Sequence, residues 1–136
     1  MSGESAEFLE KVRAVARKQA RYDIHAYLFV FQGLEFTLKR IGERRHVSGR
    51  ELLEGIRDFA LLNFGAMGEA VFRQWGIESS LDFGRIVFAL VEAELMSKTD
   101  SDDIEDFADG FDFQKTFRED YTPSGLPDET NDEQSA

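Results

Sequence analysis

Two histidines and a run of carboxylates are the residues of this chain best suited by type to metal or acid–base chemistry. Glu43 and His46 stand three apart, the spacing by which one helix face offers a carboxylate and an imidazole to a metal. A helical two-metal centre needs a second such pair, and the other histidine, His25, has Tyr22 three positions before it. An EF-hand loop opening at Asp100 would place Asp102 third. It would then put Ile104, Glu105 and Phe111 at the fifth, sixth and twelfth places, where an oxygen ligand, a glycine and a bidentate glutamate are required. Asp82-Phe83-Gly84 spells the kinase metal-binding triplet, but the Gly-rich loop, strand lysine and catalytic-loop aspartate that give it meaning are missing upstream. Asp82 reads instead as a first-turn acid complementing a helix dipole, and Phe83 as core. G-x-S-x-G, G-x-G-x-x-G and Walker patterns are absent, and the chain has no cysteine to serve as nucleophile or ligand. These residues predict no catalytic residue, no metal and no cofactor. An acid pair assembled only by the fold would not be visible at this level.

What must position any site is a helical scaffold. The chain has 136 residues, 42% of them hydrophobic with 13 Phe, enough for one domain with its own core. Pro123 and Pro127 are its two prolines, so nothing upstream interrupts helices. Apolar residues recur at helical steps. Phe8, Leu9, Val12, Val15 and Ala16 share a face from about 5 to 20, and Tyr27, Val30, Phe31, Leu34, Leu38 and Ile41 share one from about 24 to 41. Leu28, Phe29 and Phe36 widen that second stripe, which makes the second helix the central one; the alternation in AYLFVF would also suit a strand.

Ser48 and Glu51 form a capping box for a third helix, with Leu52, Ile56, Phe59, Ala60 and Asn63 inward and Gly65 as its stop. A short helix over 66–75 turns Met67, Ala70, Val71 and Trp75 inward and stops at Gly76. Ser79 or Ser80 caps the last helix, which runs through Leu95 with Phe83, Ile86, Val87, Leu90 and Val91 on its face. The expectation is an all-α domain of about five helices over residues 1–120, followed by a disordered acidic tail over 121–136. The order of the last three helices also allows a tri-helical, winged-helix-like C-terminal half, with LMSKT and GFDF as the strands of a small hairpin. Asp82, Glu92 and Glu94 on the would-be recognition helix would repel phosphate.

Charge is unevenly placed. Residues 1–57 hold 11 Lys and Arg against 8 Asp and Glu, and residues 58–136 hold 5 against 19, so +3 and −14 make the net −11. In the basic half, Arg13, Arg17 and Arg21 line one helix face, and Lys39, Arg40, Arg44, Arg45 and Arg50 cluster around the end of the second helix. Such a stripe suits RNA or DNA. In the acidic half, Phe107, Phe111, Phe113 and Phe117 are interleaved with Asp102, Asp103, Asp106, Asp109 and Asp112. That segment either packs on the chain's own core or docks onto a protein partner. In the first case it folds back with its carboxylates near Arg13, Arg17, Arg44 and Arg45. The N-terminus lacks the apolar run of a signal peptide, and no window approaches the ~20 apolar residues of a membrane span. The expectation is a non-enzymatic protein-interaction module or adaptor, with nucleic-acid binding through the basic half as the alternative and no membrane partner.

RHVSGRELLEGIRDFALLNFG, then WGI, then DFGRIVFALVEAELMSKT with its acidic trailer and FDF, resembles the wording of the Minf-type family of small bacterial proteins. The resemblance spans most of residues 8–117 and leads one to expect Gly where Glu94 stands. It implies a bacterial, cytoplasmic protein and transfers no activity and no site residue.

Overall fold

The computed structural model describes residues 3–99 and 102–119; the tail expected over 121–136 lies outside them, as does Asp100. Five helices carry the fold: α1 (Gly3–Gln19), α2 (Ile24–Ile41), α3 (Gly49–Phe64), α4 (Gly68–Gln74) and α5 (Ser80–Glu92). A 3-10 turn, Gly65–Met67, joins α3 to α4, and two further short turns, Ile104–Phe107 and Lys115–Glu119, close the described chain. No helix among the described residues is long and apolar enough to cross a membrane.

Local chemistry sets most boundaries. Asp23 caps α2 by accepting the His25 amide at 2.8 Å, and AYLFVF is helix, not strand. The capping box of α3 is complete: the Glu51 amide donates to Ser48 Oγ at 3.1 Å and the Ser48 amide to Glu51 Oε1 at 3.0 Å. The α3 stop at Gly65 and the turn at Gly76 both have positive φ, 54° and 90°, which glycine adopts without the strain a side chain would bring.

The core is one aromatic–aliphatic cluster in which α2 meets α1, α3 and α5. Phe72 is its hub, fully buried and in ring contact with Phe29, Trp75, Phe83, Phe113 and Phe117 at centroid distances of 5.1–6.1 Å. The inward face expected for the short helix needs correction here. Met67 is 63% exposed and Ala70 is exposed, while Phe72 is interior. The 3-10 turn before Gly68 resets the helical phase, so Met67 and Ala70 of the expected stripe face outward, while Trp75 packs on the core and Val71 is half-buried. Asn63, expected inward on α3, is also exposed.

The expected hairpin is absent. No strand occurs among the described residues, and Ile104–Phe107 and Lys115–Glu119 are turns in place of a wing. The acidic–aromatic segment instead completes the core, with Phe107, Phe113 and Phe117 all at most 6% exposed. Phe107 enters a notch between Gly49 and Gly84, where a Cβ would lie 2.9 Å and 2.8 Å from its atoms. Ser80, buried at the start of α5, fixes the same stretch: its Oγ donates to the Phe107 carbonyl at 2.6 Å and accepts the Gly110 amide at 3.0 Å.

α5 stops at Glu92, short of the Leu95 expected, because Glu94 takes φ 65° and the Leu95 amide turns back to the Leu90 carbonyl at 2.9 Å. A left-handed residue is the C-terminal stop that glycine favours and a glutamate resists. Glu94→Gly therefore stabilises the fold by about 0.5–1 kcal/mol, the relieved strain outweighing the entropy glycine adds to the unfolded chain. Chemical denaturation reads this as a higher midpoint with an unchanged slope.

Candidate functional site

Two surfaces stand out once the core is accounted for. The first is an apolar pocket of about 300 Å³. Phe31, Leu34 and Leu38 of α2 form one wall, Val87 and Phe88 of α5 another, and Leu52 of α3 with Leu95 and Met96 the remainder. The connection from α2 to α3 brings Arg44, Arg45 and His46 to its edge, and the stretch after α5 brings Lys98 and Asp102. His46 Nε2 lies 2.8 Å from Asp102 Oδ2, so an imidazole–carboxylate contact ties these two connections together. Asp102 also accepts the Thr99 amide at 2.7 Å. Burial pushes its carboxyl up, but the Thr99 amide and His46 outweigh burial and leave it below the usual aspartate value.

The second surface is aromatic. Phe36 of α2 and Phe59 of α3 meet in a tilted ring contact at 5.2 Å, both half-buried, and Leu62, one turn further along α3, is 69% exposed. Phe8 of α1, 38% exposed, meets Phe31 edge-on at 5.0 Å. Phe31, Phe36 and Phe59 share one shallow groove with Gln32, Glu35 and Lys39. Arg40 lies 5.1 Å above the Phe36 ring and bonds Asp58 at 2.7 Å.

The basic residues are spread over several elements: Arg13 and Arg17 lie on α1, Lys39 and Arg40 in the last turn of α2, and Arg44 and Arg45 in the connection to α3. Arg21 sits 5.7 Å from the Tyr22 ring. Several of these cations already have partners: Arg13 with Glu10 at 3.0 Å, Arg44 with Glu35 at 3.0 Å, and Arg45 with Glu51 at 2.8 Å. Arg50 is exposed on the first turn of α3. The fold-back geometry expected for the acidic segment is therefore half met. The phenylalanines pack as attachment points, but the carboxylates beside Arg13, Arg44 and Arg45 come from the N-terminal half. A partner reaching Phe107, Phe113 or Phe117 would have to displace core; Phe111 is half-buried.

Asp82, read as exposed on α5, is 4% exposed. Tyr22 OH donates to its Oδ1, Arg85 reaches the same oxygen at 2.7 Å, and the amides of Glu78 and Ser79 donate to Oδ2 at 2.8 and 3.2 Å. Burial pushes the carboxyl up, yet these four donors together hold it below the usual aspartate value. Burial, with the carboxylate beside it, pushes the Tyr22 phenol up to about 12, and burial alone does the same to Tyr27. Acid and phenol thus titrate far to either side of neutrality, whereas proton transfer in catalysis favours groups poised near the working pH. No group of three or more His, Asp or Glu side chains suited to a metal occurs among the described residues.

The sequence held one usable sign of the aromatic surface, since Leu62 falls off the apolar face of α3. The pocket left none, because its walls come from five separated stretches. No family model, curated protein or solved structure matches the chain.

Proposed function

We propose that the protein is a non-enzymatic interaction module that docks a partner protein on the aromatic face of α2 and α3. The observation that carries this reading is the apolar side of α2 and α3 left open to solvent: Phe36 and Phe59 half-buried in ring contact, and Leu62, three residues along α3, exposed. Monomeric proteins rarely leave contiguous apolar surface without a use for it. Lys39 lines the same groove as Phe36 and Phe59, which favours a partner presenting apolar side chains with carboxylates at the rim. A second copy of the chain is a poor occupant, since each copy carries −11 and like charges oppose association.

The test is affinity purification from native cells with the wild-type chain, with Leu62→Glu and Lys39→Glu, and with Arg73→Glu as a remote control, each with and without nuclease. A partner retained by wild type and Arg73→Glu, lost with both α2–α3 variants and indifferent to nuclease supports the reading. The same partners recovered from all variants overturn it. Recovery abolished by nuclease transfers the function to the basic residues and nucleic acid. A concentration-dependent dimer in sedimentation velocity, lost in Leu62→Glu, makes the occupant a second copy.

A further inference from the structure

We propose that the 300 Å³ pocket is a binding site for a small amphipathic anion, an acyl or aryl carboxylate whose apolar body fills the pocket and whose carboxylate meets Lys98 at the mouth. This site is separate from the α2–α3 docking face and does not depend on it.

Size, lining and charge each point to this chemistry. At roughly 30 Å³ per methylene- or water-sized group, 300 Å³ holds about ten such groups, the body of a medium-chain acid. The volume sits at the small-molecule end of binding cavities, and its walls are mostly apolar with a few polar groups at one edge, the usual form of such sites. Leu34, Leu38, Leu52, Val87 and Met96 offer the body no hydrogen-bonding side chain.

The charge at the mouth is uneven in a useful way. Arg44 and Arg45 are already bridged to Glu35 and Glu51, and Asp102 is turned to His46 and the Thr99 amide. Lys98 has no carboxylate within ion-pair distance among the described residues. Its Nζ donates to its neighbour's carbonyl, Thr99 O, at 3.2 Å, and lies 5.9 Å from the Phe88 ring, another lining residue. An ammonium resting on an apolar wall, with no counter-ion among the described residues, gains most from a carboxylate that brings its own apolar surface. The carboxylate of Asp102 disfavours dianions, so a single negative charge suits the mouth better than a phosphate.

The experiment titrates octanoate into the full chain by isothermal titration calorimetry, with octanol as the uncharged match and circular dichroism as the fold control. Octanoate is expected to bind saturably at one site, about tenfold more tightly than octanol. Lys98→Gln, an exposed change that leaves the core intact, weakens octanoate about fivefold and leaves octanol unchanged. Met96→Trp fills the cavity and abolishes both. Equal affinity for octanoate and octanol in the wild-type chain overturns the proposal, as does no saturation by octanoate at millimolar concentration. So does an undiminished octanoate affinity in Lys98→Gln, whatever Met96→Trp does to folding. A peptide ending in a free leucine carboxylate that binds where octanoate fails moves the site to a protein C-terminus and refutes the small-molecule assignment.

Discussion

Phe72→Ala lowers stability by about 3–5 kcal/mol, the upper part of the range for large-to-small changes in a core. Phe72 is fully buried and touches five other rings contributed by α2, α4, α5 and the C-terminal segment. Truncation removes the transfer free energy of the ring and opens a void that these neighbours cannot readily fill together, because they are held by several separate elements. For a domain of this size the loss corresponds to a melting temperature lower by about 10–20 °C. Thermal unfolding followed by far-ultraviolet circular dichroism measures it. A shift of only a few degrees would mean that the Phe113 and Phe117 rings move in to close the void.

Asp82→Ala is the second large effect, about 2–3 kcal/mol of destabilisation at neutral pH. It strips four donors of their acceptor at once: Tyr22 OH, the Arg85 guanidinium and the amides of Glu78 and Ser79. Arg85 is about one-third exposed and regains water, which keeps the cost below that of breaking a fully buried pair. The pH dependence has a definite sign. The folded-state value of Asp82 lies below its unfolded value near 3.8, so its contribution is fully present above about pH 4–5 and is lost as pH falls through the folded value. Glu51, drawn down to about 2 by Arg45 and the Ser48 amide, acts in the same acid window. Denaturant titrations of wild type and Asp82→Ala from pH 7 to pH 2 should therefore converge at the acid end. A constant gap over that range would show that Asp82 acts through packing and not through its charge.

What was legible in the sequence was short-range. Ser48 with Glu51, Gly65 and Gly76 act on backbone groups within a few residues of themselves, so the chain announces them locally. α2 could be bounded at both ends because an apolar stripe 18 residues long leaves little freedom of phase. What was not legible depends on groups brought from far away. Asp82 follows the rule for an exposed first-turn acid, and only Tyr22, 60 positions earlier, makes it a buried hub. Phe107 amid carboxylates looks like a docking peptide until Gly49 and Gly84 are seen to leave a slot for its ring. The resemblance that leads one to expect Gly at 94 meets a positive φ at that position. Lys98 carries no sequence mark at all, since its interest lies in the Phe88 ring and the apolar pocket beside it.

The closing of the core by the last described segment bears on how the protein is made. Phe72 leaves the ribosome 45 residues ahead of Phe117, an interval of about 2–9 s at ordinary rates of synthesis. Through most of it the first four helices lack Phe107, Phe113 and Phe117 to cover them, and the notch at Gly49 and Gly84 stands open until Phe107 follows. The nascent chain thus presents an aromatic surface for seconds before the residues that seal it have been translated. Slowing translation after codon 100 would lengthen that window and raise the demand on chaperones without altering a single contact of the finished fold.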